Sequence, residues 1–239
     1  MEKVDLVKEF QITVSNGDKA SEELGDGTDQ AFHSMFERGV FDNVPVFGYF
    51  VKACNVLSDI QAYRFCKKIY KFLFFTQNYD RAKLDAFWRE YAFENKENSY
   101  ELMLSVLDNV DNINKVDIMA YLLKAKLDGE ITIEDFIRLT VALNAVPYID
   151  LNKLPDYLKS KTGGKETYML FAAGLVYESV TNREGPSQYQ LNDNGILFVK
   201  YGLRQSVEGY KRETTRIPGM LTAMPVTDFK QIFDKENGK

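Results

Sequence analysis

Three carboxylates set close together, Asp128, Glu130 and Asp135, are the side chains whose type and spacing best suit chemistry. Clustered acids bind hard cations through oxygen, which makes these three candidate metal ligands. They flank an Asp128-Gly129-Glu130 turn, so a calcium loop is the first arrangement to test. With Gly129 at the sixth loop position, the first and third positions fall on Lys124 and Lys126, and the twelfth on Asp135 instead of a bidentate Glu. Ammonium groups do not ligate calcium, so an interhelical turn with a solvated acidic tip is expected in place of an EF-hand. The rest of the inventory is thin. His33 is the only histidine, which leaves no histidine dyad and no multi-histidine metal site. Cys54 and Cys66 form no C-x-x-C pair and read as free thiols of a reducing compartment. Glu22-Glu23 and Glu134-Asp135 are neighbouring acids, the usual sign of a solvated surface. The chain contains no G-x-S-x-G elbow, G-x-x-x-x-G-K-[ST] phosphate loop or G-x-G-x-x-G turn. The expectation is a non-enzymatic protein without a cofactor.

The elements that position the acids are two helices. Ile118, Met119, Leu122 and Ala125 recur at helical spacing before the turn, and Phe136, Leu139, Thr140 and Leu143 after it. Gly129 ends the first helix because it tolerates positive φ. Thr132 with Asp135 approximates a capping box for the second. Pro147 closes that helix, and Asp150 is placed to cap a short one carrying Leu151 and Leu154. The run Leu127-Asp128-Gly129-Glu130-Ile131-Thr132-Ile133-Glu134-Asp135 resembles the A-D-G-E-[IV]-[ST]-x-x-E turn of TerB-like (tellurite-resistance) helical proteins, with Asp135 where that family has Glu. The resemblance implies a helical fold and metal chelation by Asp128, Glu130 and Asp135. It also implies a bacterial or phage stress or defence setting. A second D-G-E turn to complete a carboxylate cage is missing from the sequence.

Composition sets wider bounds. Of 239 residues, 45% are hydrophobic, ample for a buried core. Thirty basic against 35 acidic residues leave a net charge of −5, which disfavours generic attraction to phosphate backbones. Met1-Glu2-Lys3-Val4-Asp5 lacks the basic start and apolar run of a secretory signal, and a cytoplasmic location is expected. Residues 1–39 read as a partly mobile N-terminal extension, 40–160 as a helical core domain, 161–204 as a second module and 205–239 as a C-terminal tail.

Within the extension, Val4, Leu6, Phe10 and Ile12 suggest one weak element before a loop ending in Gly25-Asp26-Gly27. The most apolar window follows. Val44 to Val51 is uncharged but far short of the ~20 residues that span a bilayer. Pro45 suits a helix start, so a core helix is expected. The competing reading makes Val46, Phe47, Tyr49 and Phe50 a docking patch for a protein partner or a membrane surface. Next, Ile60, Tyr63, Cys66, Ile69, Tyr70 and Leu73 mark an apolar helix face, with Lys67, Lys68 and Lys71 on the solvated side. Asp80 and Ser99 are placed to cap helices bearing Leu84, Phe87, Trp88 and Tyr91, and Met103, Val106 and Leu107. Asp108 to Asn112 reads as a turn.

Beyond Leu158 the pattern changes. Gly163-Gly164 is a hinge or turn, Glu166 to Ala173 a short helix, and Gly174 to Val180 and Gln188 to Leu191 are strands. Asn192 caps a helix through Ile196, Phe198 and Val199. Gly174, Leu175, Val176, Tyr189, Leu191, Asn192 and Gly195 resemble the wing and following helix of winged-helix domains. That resemblance implies a small α/β module of residues 165–204 and raises nucleic acid as a partner. Against base reading, Lys165 to Phe171 is mostly apolar where the recognition helix would stand, and the wing offers only Arg183 beside Glu184. In the tail, Lys211, Arg212 and Arg216 form a small basic cluster, and Ile217 to Leu221 and Thr227-Asp228-Phe229 are its other features. The fold expected is mainly α, a multi-helix bundle core followed by a winged-helix-like α/β module. The function expected is interaction or regulation through a protein partner. DNA binding by the module and metal binding at the D-G-E turn are the alternatives.

Overall fold

Helix boundaries here are set largely by short polar side chains that take up the free amides of a first turn. The computed structural model describes residues 5–15, 29–37, 39, 43–53, 59–180 and 186–212. It begins with three helices, α1 (Leu6–Ser15), α2 (Asp29–Glu37) and α3 (Pro45–Ala53). α4 (Ile60–Thr76) starts at Asp59, whose carboxylate accepts from the Gln61 and Ala62 amides, and α5 (Arg81–Asn95) starts at Asp80, which accepts from Lys83. The cap of α6 (Ser99–Asn109) is Asn98 rather than the predicted Ser99, because its side-chain oxygen reaches the amides of both Tyr100 and Glu101.

α7 (Asn114–Leu127) and α8 (Ile133–Ala145) form the predicted pair. Gly129 has φ +77° and donates to the Lys126 carbonyl (3.1 Å), while Glu130 donates to Ala125 (2.9 Å), the crossed amide pattern that closes a helix through a left-handed residue. α8 opens on a complete capping box between Thr132 and Asp135. α9 (Tyr148–Leu151) begins directly after Pro147, with Asp150 inside it instead of at its cap. A short 3-10 turn (Leu154–Leu158) follows.

Val116, Met119, Leu122 and Leu123 of α7 and Phe136, Leu139 and Leu143 of α8 are fully buried and form the middle of one apolar core. α1 belongs to this core. Phe10 is buried, with its ring 6.4 Å from Phe72 and 6.3 Å from Tyr100. The Val46 amide donates to the Thr13 hydroxyl (3.0 Å), which donates back to the Glu9 carbonyl (2.8 Å), pinning α1 against α3. What reads as a weak element is therefore a ten-residue helix held by tertiary contacts. On α4, the two sides predicted from periodicity are partly exchanged. Ile60 is 76% exposed, whereas Lys68 is buried, its ammonium donating to the Asp108 carbonyl at the end of α6 (2.7 Å). Lys71 pairs with Asp117 of α7 (2.7 Å). The cause is that α4 is packed by α6 and α7 at once, so its lysines bury their stems and leave their heads on helix ends and acids.

After the core come β1 (Lys161–Thr162), α10 (Thr167–Ala172), β2 (Val176–Val180), β3 (Gln188–Leu191) and α11 (Asp193–Leu197), which runs into a π-helical turn (Phe198–Gly202). The strands form an antiparallel sheet in the order β1-β3-β2, with Val176 opposite Leu191 and Tyr177 opposite Gln190. Asn192 caps α11 through the Gly195 amide (2.9 Å), as its sequence position implies. Gly195 is required on steric grounds, since a Cβ there would lie 2.0 Å from the Leu175 carbonyl oxygen. Phe198 and Val199 are fully buried in the common core, so the small sheet and the helices share one apolar interior. The segment after the turn is tied down too, by the Tyr210 hydroxyl on the Leu191 carbonyl (2.6 Å).

Thus the protein is mainly helical with a small three-stranded α/β part, and no described helix is long and apolar enough to cross a membrane. The Glu22-Glu23 pair, the Gly25-Asp26-Gly27 loop, Cys54, Arg183-Glu184, Arg216, Ile217 to Leu221 and Thr227 to Phe229 lie outside the described residues.

Candidate functional site

The three candidate ligands of the D-G-E turn are not brought together. Asp128 takes the Lys124 ammonium at 2.7 Å and the Lys83 ammonium at 3.7 Å. The hydrogen bond from Lys124 is the main reason its carboxyl is held below the usual aspartate range. Glu130 accepts from the Tyr201 hydroxyl (2.7 Å). Asp135 accepts from the backbone amide of Thr132 (2.9 Å) and from its hydroxyl (2.8 Å). Each acid faces a different donor, and among the described residues no group of three His, Cys, Asp or Glu side chains converges as a metal site. His33 is exposed and lies 3.8 Å from Glu37. Cys66 is buried and is not part of a disulfide.

The docking candidates of α3 sit inside. Val46 and Phe47 are fully buried and Phe50 nearly so, leaving Tyr49 half-buried. Phe47 lies 6.3 Å from the Tyr70 ring, and Phe50 meets Phe65 edge-on at 5.8 Å. Because α1 and α4 cover α3, Val46, Phe47 and Phe50 offer a partner no surface in this conformation, and only part of Tyr49 is accessible.

Two exposed aromatic side chains share α10, whereas Phe93, Val141 and Ile149 are exposed on other elements. Tyr168 is 77% and Phe171 52% exposed, while Leu170 and Thr167 turn inward. Phe171 meets Tyr189 of β3 edge-on at 6.1 Å. With Gly163 and Pro186 these rings border a shallow hollow of about 450 Å³. The base of the helix is fixed by a buried polar group. The Glu166 carboxylate accepts from the Tyr157 hydroxyl (2.9 Å), with the ammonium groups of Lys161 and Lys153 at 3.7 and 3.8 Å. Its own backbone amide, then Tyr157 and the two lysines, hold the Glu166 carboxyl below the usual glutamate range against the opposing effect of burial. Thr167 Oγ1 lies 2.6 Å from the Tyr157 hydroxyl and accepts from the Gly164 amide (2.7 Å). Sequence reasoning finds the short helix here but not Glu166 or Tyr157. A tyrosine and a glutamate in separate elements leave no periodic signal of their pairing.

A second concavity of about 730 Å³ lies where the ends of α4 and α7 meet the segment after α11. Phe75, Tyr79 and Tyr121 line it from the helical side, and Lys200, Tyr201 and Arg204 from the other. Arg204 is left-handed, with φ +56°, and its guanidinium sits 5.0 Å above the Tyr121 ring. Lys200 donates to the Tyr201 hydroxyl (2.7 Å), which in turn donates a hydrogen bond to Glu130. The hydrogen bond to Tyr201 is the main cause of a raised Lys200 pKa. Asp128 and Glu130, singled out as ligands, are thus on the rim of this cleft. The cleft itself was not legible, because its two sides are more than seventy residues apart, as in the 71-residue separation of Tyr201 and Glu130.

No family model, curated protein or solved structure matches the chain.

Proposed function

We propose that this is a non-enzymatic interaction or regulatory protein that engages a protein partner through the outer face of α10. The observation that carries the reading is the exposure of Tyr168 and Phe171 on a helix whose base is anchored by Glu166, Tyr157 and Thr167. Rigid aromatic side chains beside a hollow are the usual anchors of protein interfaces, since they bury much area for little loss of freedom. The partner suited to this surface lays an apolar side chain into the hollow bordered by Tyr168, Phe171 and Tyr189. The three-stranded antiparallel sheet, with α10 leading into its β2–β3 hairpin, supports a winged-helix-like description of the module. The composition of α10 argues for protein over DNA: residues Thr167 to Ala172 include no Arg, Lys, Asn or Gln to read base edges. The D-G-E turn's likeness to TerB-like proteins suggests where to seek the partner, in a bacterial or phage stress or defence process.

The test is capture from native cells with wild type and a Tyr168→Ser/Phe171→Ser double variant, read by mass spectrometry. A protein held by wild type and released by the variant, at unchanged melting temperature, is the expected result. Equal capture by both would overturn the role of α10. A salt-dependent shift of duplex DNA at physiological ionic strength would favour DNA binding. Calcium-dependent stabilisation abolished by Asp128→Asn would favour the metal reading.

A further inference from the structure

The cleft between the helical core and the segment after α11 has the size and chemistry of a small-molecule site, independent of the α10 surface. Its volume of about 730 Å³ falls within the ~300–1,000 Å³ typical of ligand pockets. One wall is aromatic and fixed. The rings of Phe75 and Tyr121 meet edge-on at 5.8 Å, and the Tyr79 hydroxyl is committed to the Ala120 carbonyl (3.1 Å), which leaves Tyr79 presenting its ring. The charges are unevenly committed. Asp128 is matched by Lys124 and Lys83, and Glu130 is hydrogen-bonded by Tyr201. Among the described residues, neither Lys200 nor Arg204 has a carboxylate partner. Lys200 donates to the Tyr201 hydroxyl and lies over its ring, with Glu130 as a further electrostatic neighbour, and Arg204 lies over the Tyr121 ring. The backbone at Arg204 adds to the case. A non-glycine residue at φ +56° is disfavoured, and it persists because the Leu203 and Gln205 amides are held by the carbonyls of Phe198 (2.9 Å) and Val199 (3.0 Å). The result is a guanidinium held over an aromatic ring at the mouth of an apolar-walled cleft.

We propose that this cleft binds a small planar anion, a phosphate or carboxylate carried on a flat apolar body. The anionic group pairs with Lys200 and Arg204, and the flat body lies along Phe75, Tyr79 and Tyr121. Because the two walls come from the core and from the segment beyond α11, occupancy ties these parts together and raises the melting temperature.

The test is calorimetric titration and thermal shift of the full chain with adenosine monophosphate and 2-naphthoate as planar anions. Adenosine supplies the planar body without the anion, and inorganic phosphate the anion without the body. Binding of either planar anion, with both controls weaker by about tenfold or more, is expected; which of the two binds distinguishes phosphate from carboxylate. Arg204→Asn keeps a residue that tolerates the left-handed backbone and removes the charge, and Lys200→Gln removes the second charge from an exposed side chain. Each is expected to weaken binding by about tenfold at an unchanged unliganded melting temperature. Failure of both planar anions to bind wild type would overturn the proposal. So would wild-type affinity in Lys200→Gln, whether or not Arg204→Asn folds.

Discussion

α3 and α10 are both short, apolar and aromatic, yet one lies in the middle of the protein and the other on its outside. Phe47 of α3 is 0% exposed, and Tyr168 of α10 is 77% exposed. The difference lies in their neighbours. α3 is covered by α1, which is fastened to it through Thr13 and Val46, and by α4. α10 has inward anchors in Leu170 and Thr167, and nothing among the described residues covers Tyr168. Apolar composition therefore measures how much a segment has to gain from burial and says nothing about whether the fold supplies a cover.

The sharpest way to test that comparison is to place the same charge in both helices. Phe47→Asp puts an unpaired carboxylate among buried rings and is expected to cost several kcal/mol, enough to unfold a domain whose total stability is ~5–15 kcal/mol. Circular dichroism and urea melts read it, and a normally melting Phe47→Asp protein would mean that α3 is not core. The next largest effect undermines the base of α10. Glu166 has a folded-state pKa below its unfolded one, so its ionised form stabilises the fold above pH ~4.3, and this stability is lost as pH falls through the lower folded value. Glu166→Gln is expected to cost about 1.5–3 kcal/mol at pH 7 by weakening charge-assisted hydrogen bonds, with the gap to wild type closing in acid. A pH-independent gap would show that the ionised carboxylate is not the stabilising species.

Smaller is the loss expected from a purely local change. Thr132→Ala removes half of the α8 capping box and is expected to cost about 1 kcal/mol, measured by urea denaturation. Smallest of all, Tyr168→Ser and Phe171→Ser are expected to alter stability by no more than ~0.5 kcal/mol each, the usual range for exposed positions. A loss near that of Phe47→Asp would mean that α10 is covered in solution, erasing the contrast with α3.

Much of the local architecture was legible because its causes lie within a few residues. Gly129 closes α7 with contacts no further than Ala125, Thr132 caps α8 through Asp135, and Asp80 and Asn192 cap their helices by the same reach. Ser99 and Asp150 were less well placed for a related reason: Asn98, the residue before Ser99, and Pro147, three residues before Asp150, start those helices. The candidate site was less accessible. The acids Asp128, Glu130 and Asp135 are close in sequence and two of their partners, Lys124 and Thr132, are local, but Lys83 and Tyr201 come from distant parts of the chain.

By itself, then, the sequence determined a mainly helical chain, the turn and caps around Gly129, and the change to a small stranded part beyond Leu158. These follow from backbone sterics and first-turn hydrogen bonds, which act over one helical turn. Only the tertiary structure decided that Lys68 is buried and Ile60 exposed, that α1 joins the core, and that Phe47 is hidden while Tyr168 is not. It also set Arg204 over Tyr121, eighty-three positions away in the chain. Burial is a property of surfaces that meet, and which surfaces meet depends on every other element that needs cover.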